Sequence, residues 1–227
     1  MTADIEWTGR LWLGRDYGLI HGVPGRTAPH AHYAHQLILA PGRPLTVSLD
    51  GVIQTARRLF IPSHVSHAIV EATDAVFTVY VEPQAFDVQA LRDALFDTVA
   101  TPHNLINALH DCPRRALGDP RLERALSTLD SLLTDKVQTR ALADEAHLSS
   151  SQLQRLFASQ LGLPVRRLVL WRRLRRAMAL ILAGRSVTES AHEAGFADSA
   201  HFSRSLKKLF GVTARQGLRH IDLQLLD

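Results

Sequence analysis

Twice in its last ninety or so residues this chain repeats one local pattern: a short helix-forming stretch rich in small residues, a break, then a capped amphipathic stretch that ends on an aromatic residue and a glycine. The first copy begins Thr139-Arg-Ala-Leu-Ala-Asp-Glu-Ala-His-Leu-Ser149 and continues through Leu153, Leu156 and Phe157 to Gly162. The second begins Ser186-Val-Thr-Glu189, passes Gly195-Phe196 and Asp198, and continues through Phe202, Leu206 and Phe210 to Gly211. Each copy predicts two helices joined by a tight turn, the helix-turn-helix arrangement. One such pattern is common in helical proteins of every kind; two in tandem constrain the fold far more.

The residue types say how each copy uses its faces. Thr139 and Ser149 are placed to cap the first pair of helices, and Ser186 with Glu189 forms a capping box for the second. Leu142, Ala143 and Ala146 give a small-residue face where helices can cross closely, and Leu153, Leu156 and Phe157 form the buried stripe of the following helix. Ser151, Gln154 and Arg155 are then left facing outward. In the second copy Asp198 caps, Phe202, Leu206 and Phe210 are buried, and Ser199, Ala200, His201, Ser203 and Arg204 face outward. Short polar side chains and arginine on such a face suit hydrogen bonds to base edges and phosphates. Between the copies, a helix from Pro164 to about Ala183 carries Leu168, Trp171, Leu174, Met178 and Ile181 on one face. Arg166, Arg167, Arg172, Arg173, Arg175 and Arg176 lie opposite, either reaching phosphates or forming a solvated surface. Ser151 and Ala200 are 49 residues apart, and a helix of about 20 residues spans about 30 Å, close to one duplex turn of about 34 Å.

Charge is divided in the same way. Residues 1 to 135 hold 11 Lys+Arg against 15 Asp+Glu, while residues 136 to 227 hold 15 against 7, a net +8. The asymmetry suggests a polyanion partner for the carboxy-terminal half, of which nucleic acid is the commonest, with a solvated basic face as the alternative. The lone Cys112 excludes thiolate metal clusters and internal disulfides and fits a reducing, cytoplasmic setting. No apolar run approaches the roughly 18 residues of a membrane span, and no secretory leader is evident.

The amino-terminal part reads differently. From Arg10 to Val81, short alternating apolar stretches are broken by turn residues, and Asp50-Gly51 between Leu49 and Val52 predicts a two-residue hairpin. After Glu82-Pro83 the period becomes helical, with Leu91, Leu95, Leu105 and Leu109 on helix faces; Asp119-Pro120 starts a further helix. The expected fold class is therefore α+β with two domains. Residues 1–84 form a small β-barrel, 85–118 a helical segment that either forms a dimer contact or covers the barrel, and 119–227 an all-α domain. That domain holds helix-turn-helix units at about 139–161 and 186–210 joined by the long helix.

From about Asp119 to Arg219 the sequence resembles the AraC/XylS family of bacterial regulators. The resemblance is carried by Leu142-Ala143, Leu148-Ser149, Leu153, Arg155, Phe157, Gly162, Arg173 and Ala177. It continues at Ala191, Ala194-Gly195-Phe196, Asp198, Phe202, Arg204, Lys207 and Phe210-Gly211-Val-Thr213. Ala214 stands where the family usually has proline. The resemblance implies that Ser151, Gln154 and Arg155, then Ser199, Ala200, His201, Ser203 and Arg204, meet promoter DNA. It also implies a transcription activator that engages RNA polymerase, responds to a small-molecule effector and pairs as a homodimer.

Five histidines fall in two short segments, Pro29-His-Ala-His-Tyr-Ala-His35 and Pro62-Ser-His-Val-Ser-His67. Histidines two apart on a strand point the same way, and one from a neighbouring strand completes a three-nitrogen site. The pattern is similar to that of cupin barrels, with His30, His32 and His67 as ligands for a divalent transition metal and Pro62 before the last. The usual glutamate position falls near His35 or Gln36, and His64 replaces a glycine. The alternative is a metal-free effector pocket, in which His35 and His64 also take part. A rival reading of the whole chain is a metal-dependent cupin enzyme with a helical appendage. It leaves the tandem motif unexplained, and the sequence has no GxSxG nucleophile turn, Gly-rich phosphate loop or paired carboxylates.

Overall fold

The structure is a computed structural model that describes residues 8–135, 137–213 and 220–225. The chain divides into two units: Met1–Arg115 with Leu206–Asp227, and Ala116–Ser205. The division after Arg115 falls beside the boundary expected near residue 118. The tail does not follow the expectation that everything from 119 onward forms one domain, and the reason is a long-range strand pairing described below.

In unit 1 the alternating stretches form β1 (Thr8–Leu13), β2 (Tyr17–Val23), β3 (His35–Leu39), β4 (Leu45–Leu49), β5 (Val52–Ala56), β6 (Arg58–Ile61), β7 (His67–Glu71) and β8 (Val76–Val81). Two helices follow, α1 (Val88–Asp97) and α2 (Pro102–Asp111), and β9 (His220–Leu225) closes the unit. The strands make a six-stranded sheet in the order β6-β3-β8-β2-β1-β9 and a three-stranded sheet in the order β5-β4-β7. Among the described residues these are two sheets, where the sequence suggested one small barrel. β9 lies parallel to β1, pairing Thr8 with His220 through Leu13 with Leu225, which draws the chain end into unit 1. The hairpin falls where Asp50-Gly51 placed it: both residues have positive φ, 46° and 85°, and Leu49 pairs with Val52, the geometry of a type I′ turn.

Strand alternation sorts the core into two layers. Leu37 and Leu39 of β3 join Trp12, Leu19, Phe77 and Val79 against Leu91 and Leu95 of α1 and Leu105 and Leu109 of α2. Ile38, between them, faces the other way and meets Leu45 and Val47 of β4 with Leu59 and Ile61 of β6. The four helix leucines are fully buried, and each such burial contributes about 1.5–3 kcal/mol. The apolar stripes of α1 and α2, which in the sequence could equally serve a dimer contact, cover the sheet.

Unit 2 is helical: α3 (Pro120–Ser131), α4 (Thr139–Glu145), α5 (Ser150–Leu161), α6 (Val165–Leu182), α7 (Val187–Glu193) and the start of α8 (Ser199–Phe210), whose last turns count with unit 1. Asp119 caps α3 by accepting from Arg121 N, with Pro120 in the first turn. The core gathers Leu122, Leu129, Leu142, Leu153, Phe157, Leu168, Trp171, Leu174, Phe196 and Phe202, all buried.

Candidate nucleic-acid interface and histidine cluster

Both tandem units are built as their sequences indicate, with one change at the first cap. Gln138, not Thr139, precedes α4, and it makes no side-chain cap bond; Thr139 is already the first helical residue. The other caps form. Ser149 and Gln152 make a reciprocal capping box on α5, Ser186 and Glu189 make one on α7, and Asp198 Oδ1 accepts from His201 N at the start of α8.

The two turns share a hydrogen-bond scheme. Leu148 N donates to Ala143 O at 2.8 Å, and Phe196 N donates to Ala191 O at 2.9 Å. The residue before each donor is left-handed: His147 at φ 55° and Gly195 at φ 86°. From there to the cap the second turn is one residue longer, because Ala197 separates Phe196 from Asp198 whereas Ser149 directly follows Leu148. Gly195 is required for a second reason. A Cβ there would sit 2.7 Å from Leu133 O and 2.7 Å from Arg173 Nε.

On α5, Ser151, Gln154 and Arg155 are exposed, and their spacing puts them on one helix face. On α8, Ala200 and Arg204 are exposed, while Ser199, His201 and Ser203 are half-buried. His201 lies edge-on to Phe196, 5.2 Å between ring centroids, so part of its surface braces the turn. The 18 residues of α6 span about 27 Å. Five of its six arginines fall into two groups that the sequence could not separate. Arg173 donates to Leu133 O and Asp135 O at 3.0 and 2.6 Å, Arg176 donates to Glu193 O at 3.2 Å, and Arg172 pairs with Asp130 at 3.8 Å. These three fasten α6 to its neighbours, whereas Arg166 and Arg167 stand exposed. Arg173 reaches these carbonyls past Gly195, where a Cβ would lie 2.7 Å from its Nε.

In unit 1 the histidines separate. His30, His32 and His67 are buried and each offers a ring nitrogen within 4.8 Å of the others; a bridge between His30 and His67 joins the two segments. Each Nδ1 lies against a backbone carbonyl: His30 to Ala28 O at 2.8 Å, His32 to Ala34 O at 2.9 Å and His67 to Val65 O at 2.9 Å. A carbonyl only accepts, so all three Nδ1 atoms carry the proton and all three Nε2 atoms carry a lone pair. Burial, with repulsion from His67, drives His30 down to about 4. Burial, with repulsion from His67 and His30, drives His32 to about 3. His67 is lowered by burial as well. The cluster is therefore neutral at pH 7.

His35 and His64 do not join it. On β3 His35 is on the same side as Leu37 and Leu39, by strand alternation; its Nδ1 accepts from Ser63 N at 2.9 Å. Burial, with His64 nearby, lowers it to about 4. His64 is exposed at φ 66°. Gln36 takes the position the sequence left between His35 and Gln36: its Oε1 lies 3.2 Å from His32 Nε2.

Two capped helix-turn-helix units in the basic half of a chain are the architecture of DNA-reading regulators. Comparison with known proteins agrees. The helix-turn-helix domain family matches residues 142–220. The transcriptional activator RhaS of Escherichia coli is 35% identical over 96 residues, 42% of this chain and 34% of RhaS; the chain thus spans about a third of the length of these relatives. An AraC-type DNA-binding domain protein from Chromobacterium violaceum is 30% identical over 42% of this chain and 87% of its own, with a TM-score of 0.40. ToxT from Vibrio cholerae, solved with an unsaturated fatty acid bound, covers 92% of this chain and 91% of its own at 9% identity and a TM-score of 0.54, a likeness of fold. The carboxy-terminal half of the chain is thus similar to the helix-turn-helix regulators of the AraC/XylS type.

Proposed function

We propose that this chain is a sequence-specific regulator of transcription, most simply an activator, that reads promoter DNA with α5 and α8 and answers to an effector held in unit 1. The observation that supports it is the pair of outward helix faces: Ser151, Gln154 and Arg155 on α5, all exposed, and on α8 the exposed Ala200 and Arg204 with the half-buried Ser199, His201 and Ser203. They stand at the starts of two capped helices in a half of the chain with net charge +8. A helix N-terminus favours phosphate, and arginine reads guanine edges in the major groove. The 27 Å or so of α6 suits reading heads about one duplex turn apart.

In this reading RNA polymerase is the partner that activation requires. The sheets of unit 1 are the cupin-like sensor, and a homodimer would place two pairs of heads on adjacent sites. Among the described residues no helix is long and apolar enough to cross a membrane. DNase footprinting on DNA flanking the gene tests the reading. Protection of two adjacent major-groove segments on one face is expected, weakened by Arg155→Ala and by Arg204→Ala. Unchanged protection in both variants refutes the assignment of the reading faces.

A further inference from the structure

All the residues that follow belong to unit 1. Each of the buried His30, His32 and His67 offers a ring nitrogen within 4.8 Å of the others, and in each ring Nε2 carries the lone pair. His67 Nε2 is buried, and no described residue bonds it. His32 Nε2 faces Gln36 Oε1 at 3.2 Å; two acceptors at that distance need a cation between them, or a Gln36 amide turned so that its NH2 donates. Backbone carbonyls hold each ring by its other nitrogen, the outer-shell support that metal-binding histidines characteristically have. Three imidazole nitrogens and an amide oxygen suit zinc, nickel, cobalt or iron rather than magnesium or calcium.

The same rings touch the end of α8. The His32 ring lies 5.4 Å from that of Phe210, and Tyr80 meets both, at 5.3 and 5.5 Å. His30 Nδ1 bonds Ala28 O, and Ala28 N in turn donates to Gly211 O at 3.2 Å. A Cβ on Gly211 would lie 2.7 Å from His30 Nδ1, so the chain leaving α8 is laid directly on the cluster. Tetrahedral binding at about 2.0–2.1 Å sets nitrogen separations near 3.4 Å, whereas the nitrogens here spread to 4.8 Å. Binding draws the rings inward by roughly 1 Å, and Ala28 and Phe210 are the groups through which that movement leaves the site.

We propose that His30, His32 and His67, with Gln36 as fourth donor, bind a divalent transition-metal ion, and that its capture resets the end of α8 through Ala28–Gly211 and His32–Phe210, making the metal the effector. The reaction is simple coordination: neutral imidazoles donate lone pairs, the Gln36 amide turns its oxygen to the ion, and no proton is released. This deepens the regulator reading and depends on it only for the word effector.

The test uses the full chain, stripped with chelator and titrated with Zn2+ and with Co2+. One equivalent should bind, Co2+ should give the intense visible bands of a four-coordinate site, and hydrogen exchange at Leu206–Thr213 should slow about tenfold or more. His67→Ala should weaken binding by more than the roughly 10- to 100-fold that loss of a supporting contact costs. Gln36→Glu, which adds a charged oxygen without removing a ring, should tighten it, and His35→Ala should leave it unchanged. Failure of wild-type chain to bind stoichiometrically, or equal binding by His67→Ala, overturns the site. Binding without any change at Leu206–Thr213 overturns its transmission to α8. If Zn2+ binds and slows exchange but no DNA is protected with or without it, the metal site stands and the regulator reading falls.

Discussion

The two left-handed turn residues make a paired experiment, because the same backbone conformation is held by glycine in one copy and histidine in the other. Gly195→Ala imposes three effects. Left-handed backbone costs a non-glycine residue about 1–2 kcal/mol. The lower entropy of the unfolded chain returns about 0.4–1 kcal/mol. A Cβ placed 2.7 Å from Leu133 O and Arg173 Nε adds an overpacking cost of about 1–3 kcal/mol. The net is a destabilisation of about 3 kcal/mol, centred on the α6–α7 contact. His147→Gly reverses the first effect at an exposed site where no packing is lost, and the greater freedom of the unfolded glycine offsets part of the gain. It should stabilise by about 0.5–1 kcal/mol. Hydrogen exchange by mass spectrometry reads each turn separately, without assuming that both units unfold together. At 1.4 kcal/mol per tenfold, Gly195→Ala should speed exchange in α7 by roughly 100-fold, and His147→Gly should slow it in α4 by a few-fold. Changes of the same sign in both variants, or less than about threefold in Gly195→Ala, would refute the packing account of the second turn.

Other consequences can be measured as directly. Arg155→Ala and Arg204→Ala should each weaken binding to the protected DNA by about 1–3 kcal/mol, and mobility shifts at several salt concentrations should show a shallower salt slope for either variant if a phosphate contact is also lost. Arg173→Lys should not restore an Arg173→Ala defect in thermal stability, because two carbonyls, Leu133 O and Asp135 O, are held by one planar guanidinium, which an ammonium cannot match. The Arg121 guanidinium beside Asp119 holds that carboxyl at about 2. Since the folded value is depressed, this contribution to stability is present above about pH 4 and disappears as pH falls toward 2. Asp119→Asn should flatten that part of an acid denaturation curve followed by circular dichroism.

What could be read from the residues was local chemistry. Asp50-Gly51 announced a hairpin because so few dipeptides tolerate two positive φ values. Ser149, and Ser186 with Glu189, announced helix starts because their side chains satisfy backbone donors; the reciprocal bond from Gln152 appeared only in the structure. Thr139 misled for the same reason: it is a good cap type, but the helix begins one residue earlier than a Thr139 cap requires. The β1–β9 pairing left no local mark, since a parallel partner some two hundred residues away imposes no periodicity of its own. The histidines show both sides. Spacing brought His30, His32 and His67 together, but only the backbone reveals that their protons point to Ala28, Ala34 and Val65. Strand alternation on β3, unreadable without the register, turns His35 away and leaves Gln36 beside His32.

The extra residue in the second turn has a consequence for the DNA. A symmetric pair of identical reading heads binds a palindrome and cannot tell upstream from downstream. Here Ala197 lengthens the second turn by one residue, and the two outward faces carry different side chains. If α5 and α8 read DNA as proposed, one copy of this chain gives its target an arrow: inverting the site presents the right sequences in the wrong order. Direction along the genome would then be recognised by a single polypeptide, before any second subunit arrives.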